Sequence, residues 1–148
     1  MYTSNCIINL SKNIGYLYKN KNKNNIYNLI KEYNNLDWKY YINNSNKKKY
    51  IYKDSNVNIY LNKWPSFYKI SSFNRKHVNT SSFIKILKGS LLKIEYINNI
   101  PQDVQVLKHN DLLFLNNHIV YSIQNNIVNY KNKDEDNYPV SLHVDLFN

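Results

Sequence analysis

The chain has 148 residues, a formal net charge of +10 and an aromatic content of 15%. Hydrophobic residues make up 43% of it, which excludes a globally disordered chain, and the length suits one domain over residues 1–148. The single cysteine, Cys6, excludes a disulfide framework. No apolar run approaches the roughly 20 residues that span a bilayer, and residues 1–10 lack the pattern of a signal peptide. We therefore expect a reduced, soluble, cytoplasmic protein with no membrane partner.

The basic charge comes from lysine, with Arg75 as the only arginine. Asn, Lys, Ile and Tyr dominate the composition and alanine is absent, which we interpret as a coding bias towards AT-rich codons. The lysines occur in mixed Lys-Asn stretches, such as 19–23 and 47–49, that are typical of solvated loops. We do not expect nucleic acid as a partner, although a basic scaffold that contacts nucleic acid stays open as an alternative.

The first part of the chain, about residues 1–46, is predicted to be helical. Ile26, Leu29, Ile30 and Tyr33 fall at helical spacing. A polar Asn-Lys stretch separates this helix from a weaker apolar segment at residues 7–18.

From residue 50 onward the pattern changes to short strands rich in β-branched and aromatic residues. The predicted strands are 50–52, 57–61, 67–70, 82–87, 91–96, 104–107, 111–115, 119–123 and 140–146. Glu95 lies on an alternating strand and is interpreted as a surface charge. Nine strands with turns every 8 to 12 residues indicate a β-sandwich or a β-barrel.

Three ordered segments of the chain resemble cysteine dioxygenase, a thiol dioxygenase of the cupin superfamily. They are Thr80–Leu91, Asn110–Asn125 and the Val140-Ser141-Leu142-His143-Val144 strand. The helical part, with Ile30–Tyr33 followed by Trp38, is also similar to the family. The chain is identified as a divergent member over about residues 25–145. The resemblance implies a mainly β, cupin-type (jelly-roll) β-barrel over about 50–148, preceded by short N-terminal helices.

The resemblance also implies a chemistry. Thiol dioxygenases hold Fe(II) with three histidines and convert L-cysteine and O2 to cysteine sulfinate. Neutral imidazoles suit a divalent iron that must keep open coordination positions for the thiolate and dioxygen. An arginine beside the iron binds the substrate carboxylate. A Cys-Tyr crosslink often braces the pocket. We expect a monomer that takes a small thiol or a small anion into the barrel.

Two of the three iron-ligand positions are replaced in this chain. The family's His-x-His pair corresponds to Arg75-Lys76-His77, so His77 is the only ligand retained. The third ligand position falls on Tyr121 when one gap is allowed. His118 and His143 could complete a triad with His77 if the loops permit it, and otherwise His118 is an exposed turn residue.

The positions that shape the family's pocket also differ. Ser82 stands at the position of the crosslinking cysteine and Asp145 at that of the tyrosine. Tyr50 begins the family's Tyr-x-Arg pair, and Tyr52 stands in place of its arginine. The candidate catalytic residues are Tyr121, His143 and Asp145, and the candidate substrate-binding residues are Tyr50, Tyr52 and Arg75.

The sequence leaves three functions open, of which the first two follow from these substitutions and the third only from the basic charge. The first is a cysteine dioxygenase-like enzyme whose catalysis is impaired by loss of the iron ligands. The second is a non-catalytic cupin that binds a small anion or a protein, with Arg75 as an anion-binding group unless its side chain points to solvent. The third is the nucleic-acid scaffold.

Overall fold

The structure is a computed structural model that describes residues 6–42, 47–72, 80–116, 118–125 and 138–147. Two α-helices, α1 (Ile7–Lys19) and α2 (Lys23–Glu32), and a 3-10 turn (Asp37–Tyr40) precede the strands. The strands are β1 (Lys48–Lys53), β2 (Val57–Lys63), β3 (Lys69–Ser71), β4 (Thr80–Lys88), β5 (Leu91–Ile97), β6 (Ile100–Leu107), β7 (Leu112–Leu115), β8 (Val120–Gln124) and β9 (Val140–Phe147). The prediction of a mainly β fold with helices at its beginning is confirmed. The weaker apolar segment at residues 7–18 forms the longer of the two helices.

The strands form two antiparallel sheets. Sheet A has the order β1-β2-β9-β4-β7, and sheet B has the order β3-β8-β5-β6. Strand β9 lies at the centre of sheet A and pairs with β2 along seven residues and with β4 on its other side. The last strand in the described part of the chain therefore joins two strands that precede it by a long stretch of sequence.

The two faces of sheet A bury different sets of side chains, because successive residues of a strand point to opposite faces. One face packs against the helices, through a cluster that includes Ile7, Leu10, Ile30, Ile59, Leu61, Leu142, Val144 and Phe83. The other face meets sheet B around a second cluster of Trp64, Ile84, Ile86, Leu91, Leu107, Leu115, Tyr121 and Ile123. We call this second region the barrel interior.

A buried lysine joins the helical layer to sheet A. Lys85 is 2% exposed, and its Nζ donates hydrogen bonds to the carbonyl oxygens of Ile30, Lys31 and Tyr33. Those carbonyls lie at the C-terminal end of α2, where backbone acceptors lack helical partners and a positive charge is favoured. Burial lowers the pKa of Lys85. Lys85 therefore caps α2 from the strand on which the helix packs.

The other helix is capped across the chain by Asp37. Its carboxylate accepts a hydrogen bond of 2.8 Å from the backbone N–H of Ile7, at the first turn of α1. It also accepts a hydrogen bond from the hydroxyl of Tyr33. Burial, followed by the hydrogen bond and the charge of Asp37, raises the pKa of Tyr33 far above its usual value. Asp37 thus ties the 3-10 turn to the beginning of α1.

The turn between β1 and β2 is organised by Asp54. Its Oδ1 accepts hydrogen bonds from the backbone N–H groups of Asn56 (2.7 Å) and Val57 (2.8 Å), and its Oδ2 accepts one from the Tyr52 hydroxyl (2.7 Å). Burial raises the pKa of Asp54, but these three hydrogen bonds and the charge of Lys19 outweigh it, so that the pKa lies below its usual value.

No helix in the described part of the chain is long and apolar enough to cross a membrane.

Candidate binding site in the barrel interior

Strand β9 directs three polar side chains into the barrel interior. Leu142, Val144 and Leu146 belong to the cluster under the helices, so Ser141, His143 and Asp145 point to the opposite face. Their partners across the sheet on the same face are Asn62, Tyr60 and Asn58 on β2, and Ile86, Ile84 and Ser82 on β4. Sheet A therefore presents a polar stripe to the interior at its centre, which we call the β9 stripe.

His143 is held in place from several sides. The indole N–H of Trp64 donates to Ser141 Oγ at 2.8 Å, and Ser141 Oγ lies 2.7 Å from His143 Nε2. The imidazole ring stacks on Tyr60 with ring centroids 4.8 Å apart and planes inclined by 13°. The Trp64 ring lies on another side, with centroids 6.3 Å apart. The orientation of His143 is thus fixed, and its Nε2 is already engaged by Ser141.

Asp145 pairs with Ser82. The Ser82 hydroxyl donates a hydrogen bond of 2.7 Å to Asp145 Oδ1, and the two residues lie opposite each other in the pairing of β4 with β9. The two positions that the resemblance matches to a Cys-Tyr crosslink are therefore in direct contact in this chain.

Three buried polar atoms beside the β9 stripe have no hydrogen-bond partner in the described part of the chain. They are Asn58 Oδ1, Asn62 Oδ1 and Thr80 Oγ1. Asn62 is 3% exposed and Thr80 is 6% exposed. All three residues lie on the inner face, since Asn58 and Asn62 alternate with Ile59 and Leu61, and Thr80 shares a face with Ser82. A buried polar atom without a partner costs about 1–3 kcal/mol, so such atoms in a native protein call for an explanation.

Sheet B contributes Tyr121 and an ion pair to the interior. Tyr121 is almost completely buried, and its backbone N–H donates to Ser72 Oγ at 2.8 Å. Lys93 lies opposite the core residue Ile123, and Glu95 lies opposite Tyr121. Lys93 Nζ and Glu95 Oε1 form an ion pair with Lys93 buried. Glu95 shares this face with Lys93, but its side chain remains 35% exposed, so its carboxylate is a partly exposed partner of the buried lysine.

The candidate substrate-binding tyrosines lie in two different environments. Tyr50 lies opposite Tyr60 with ring centroids 5.5 Å apart, and the Lys48 ammonium is 3.9 Å from the centroid of Tyr60. Tyr52 packs with the cluster under the helices, where its hydroxyl would lie 2.8 Å from a Cβ added to Gly15 of α1. A register shift between Tyr50 and Tyr52 separates the two. Tyr52 therefore faces the helical layer and not the barrel interior.

The remaining candidates lie outside the interior or outside the described residues. His118 is exposed in the turn between β7 and β8, where its backbone N–H donates to Asn116 Oδ1 at 3.0 Å. Arg75 and His77 belong to residues 73–79, which lie outside the described residues.

The described residues alone do not fit a three-histidine iron site. Among them, no three His, Cys, Asp or Glu side chains are grouped so that they could hold a metal ion. His143 is the histidine that they contribute to the interior, and its Nε2 is engaged by Ser141. Fe(II) binding through His77 remains an expectation from the resemblance.

Several residues of the interior were missed in the sequence. Asn58, Asn62, Trp64 and Lys93 lie on the inner face but are not among the candidate site residues that the sequence predicted. The signal that could have identified them is the period-two series Asn58-x-Tyr60-x-Asn62-x-Trp64. Trp64, a large aromatic side chain of a kind that is mostly buried, ends that series and indicates that this face of the strand is not exposed.

Comparisons with known proteins support the fold. No family model matches the chain, and no curated protein matches it significantly. Similar solved structures include a cupin superfamily protein from Desulfitobacterium hafniense (14% identity, 68% of this chain and 76% of that chain, TM-score 0.51). A conserved Klebsiella pneumoniae protein with a double-stranded beta-helix domain is similar at 12% identity, over 73% of this chain and 84% of that chain, with a TM-score of 0.54. A cupin-2 domain containing protein from Shewanella frigidimarina is similar at 11% identity, over 80% of this chain and 97% of that chain, with a TM-score of 0.50. The fold of this chain is that of the cupins, the double-stranded β-helix.

Proposed function

We propose that this chain is a divergent, thiol dioxygenase-like cupin whose barrel binds a small polar molecule, with iron-dependent oxygenation of L-cysteine impaired or lost. The observation that carries the proposal is the set of buried polar atoms on the inner face, at Asn58, Asn62 and Thr80, for which the described residues supply no hydrogen-bond partner. They flank the β9 stripe, where a molecule held in the barrel would meet them.

Kinship with thiol dioxygenases is supported by the contact between Ser82 and Asp145. The resemblance matches these residues to the two partners of the family's crosslink, which must be adjacent in space. They are register partners joined by a hydrogen bond of 2.7 Å. An alignment that was wrong by one residue in either strand would have placed one of them on the opposite face.

Impaired catalysis is supported by the substituted ligand positions. The guanidinium of Arg75 cannot coordinate a divalent cation and would repel it. Tyr121 offers a phenol, whose usual pKa is about 10, so that it does not ionise readily at neutral pH to bind iron. Tyr121 is also packed into the apolar core of the barrel.

Ligand binding is supported by the energetics of the unpaired atoms. Each costs about 1–3 kcal/mol in the free protein if nothing bonds to it, and a bound polar molecule would recover that cost. A cupin barrel encloses side chains of two sheets that can surround a small molecule. Because one fold serves many chemistries, the bound molecule must be identified from the site itself.

The proposal is tested by loading the purified protein with Fe(II) under anaerobic conditions. Bound iron and cysteine sulfinate formed from L-cysteine and O2 are then measured. We expect iron well below one per chain and sulfinate at the background level. Stoichiometric iron with repeated turnover would refute the loss of catalysis.

A variant that restores histidines provides the comparison. Arg75→His combined with Tyr121→His places a histidine at each ligand position that the resemblance assigns, and we expect it to bind more iron than the parent protein. Arg75→His alone serves as the matched control, because it leaves Tyr121 unchanged. Equal iron binding in all three proteins would contradict the assignment of the ligand positions.

A further inference from the structure

We infer that the Asp145 end of the β9 stripe binds a protonated amine of the molecule that occupies the barrel. This inference rests on the proposed function and names the chemical class of one part of the ligand. The amine subsite consists of Asp145, Asn58 and Thr80, which come from three different strands, β9, β2 and β4.

The pairing of the strands brings these three side chains together. Asn58 and Asp145 are opposite each other, so that their Cβ atoms lie about 4.5–5.5 Å apart. Thr80 is two residues before Ser82, the partner of Asp145, and lies about 7 Å along the same face. Asn58 and Thr80 thus lie on either side of Asp145 on the inner face of sheet A.

Several polar atoms of the amine subsite have no hydrogen-bond partner among the residues that the structure describes. Ser82 donates to Asp145 Oδ1, and no hydrogen bond reaches Oδ2 from any residue that the structure describes. Asn58 Oδ1 and Thr80 Oγ1 are buried and, within the same residues, also lack partners. Thr80 is more than nine-tenths buried, so its side chain meets the barrel and not bulk water. Among the residues that the structure describes, Asp145 Oδ2 therefore has an unbonded neutral acceptor on each side.

The chemistry of these atoms selects a cationic donor. A carboxylate and an amide oxygen accept hydrogen bonds and cannot donate them, and the Thr80 hydroxyl can accept. A primary alkylammonium carries one positive charge and three N–H donors, so it can pair with Asp145 and also donate to a neutral acceptor beside it. A divalent cation would need more negative ligands than the single carboxylate here, and an anion would be repelled by it.

The inference is tested with n-propylamine as the probe, in titrations of the isotope-labelled protein followed by NMR. Propionate and n-propanol are the matched probes, because they carry the same alkyl chain with a negative charge or none. We expect a saturable change at the Asn58 side-chain amide and the Thr80 backbone amide with propylamine only. A Kd above about 10 mM for propylamine, or equal changes with n-propanol, would overturn the inference.

Two variants make the test specific. Asp145→Asn should weaken propylamine binding by at least about tenfold, because it removes the charge from the acceptor. Asp103→Asn, on the exposed strand β6, makes the same chemical change elsewhere and should leave the affinity unchanged. Equal affinities of all three proteins would overturn the inference.

A third variant covers the case in which Asp145→Asn does not fold. Thr80→Val removes the unpaired oxygen at nearly constant volume, so we expect the free protein to be at least as stable as the parent. Propylamine binding should fall several-fold, whereas a purely structural role for the hydroxyl would lower stability and leave the affinity unchanged.

The two proposals can fail separately. Spectral changes in the barrel with propionate instead of propylamine would overturn the amine subsite and leave small-molecule binding standing. Changes at the same residues with Ca²⁺ or Mg²⁺, abolished by Asp145→Asn, would assign the site to a metal ion instead. Full iron loading with sulfinate formation would refute the proposed loss of catalysis whatever the result with propylamine.

Discussion

Replacing Lys85 by methionine tests whether the helical layer is held to sheet A by one buried ammonium group. Methionine keeps most of the length and apolar volume of the lysine stem, so that packing changes little. The substitution removes the ammonium from three carbonyl oxygens, those of Ile30, Lys31 and Tyr33, of which Ile30 O keeps the backbone N–H of Tyr33 at 3.2 Å. Two of these hydrogen bonds, to Ile30 and Tyr33, are buried.

The expected loss follows mainly from Tyr33 O, because Ile30 O retains the backbone N–H of Tyr33. A buried acceptor left without a partner costs about 1–3 kcal/mol, and the loss of the second hydrogen bond at Ile30 O adds about 1 kcal/mol. Removing Lys85 also relieves the cost of burying an ammonium, which offsets part of the loss. We expect a net decrease of about 2 kcal/mol in the free energy of unfolding, equivalent to a fall in Tm of about 4–8 °C for a domain of this size.

Urea unfolding followed by circular dichroism measures this decrease, with Lys69→Met as the matched control. Lys69 is exposed on the short edge strand β3, so the same change there should stay within about 0.5 kcal/mol of the parent protein. The m-value should be unchanged in both variants. Equal or higher stability of Lys85→Met would refute the reasoning, because it would mean that the desolvation of the ammonium outweighs its three hydrogen bonds.

Three further substitutions test other parts of the fold. Gly89→Ala should destabilise the protein by about 1–2 kcal/mol, since Gly89 has a φ of +75° and an added Cβ would lie 3.1 Å from Pro139. Thermal unfolding measures this loss, and an unchanged Tm would contradict the prediction. Asp37→Ala should cost about 1 kcal/mol or more, because the N–H of Ile7 loses its acceptor, and helix content should fall in circular dichroism. For Asp54→Asn, the folded-state pKa of the carboxyl lies below its ordinary value of 3.8, so the stabilisation is present above that pH and is lost as the pH falls through the folded-state pKa. At pH 7 the variant should therefore be less stable than the parent protein, and this difference should disappear as the pH falls below about 3.8. A difference that does not change with pH would contradict the prediction.

The nine strands could be predicted from the sequence because each is a short alternating or β-branched run between turn residues. The structure places a strand within each predicted segment, with ends that differ by a few residues. The helix at residues 7–18 was underrated because polar residues interrupt its apolar face, although that face is buried at Ile7, Leu10 and Ile14. Tertiary packing against sheet A stabilises it where local pattern is weak.

The site could be predicted only in part, since residue type does not reveal which face of a strand is covered. His143 and Asp145 were found through the resemblance, and they share the inner face. Tyr52 was assigned to the same pocket, yet the register shift in β1 turns it towards α1. Lys85 and Lys93 are buried although their type favours exposure, because each ammonium has found acceptors inside the fold.

The central position of β9 has a consequence for how the protein assembles. Its register joins Val57 to Leu146, so that sheet A cannot close until segments far apart in the chain have met. Such non-local pairing slows folding, and until β9 docks, β2 and β4 present unpaired edges that can associate with other chains. Since Ser141, His143 and Asp145 all lie on this strand, a molecule bound to them would oppose opening of the whole sheet. A ligand found by thermal stabilisation would then also be expected to reduce aggregation during refolding.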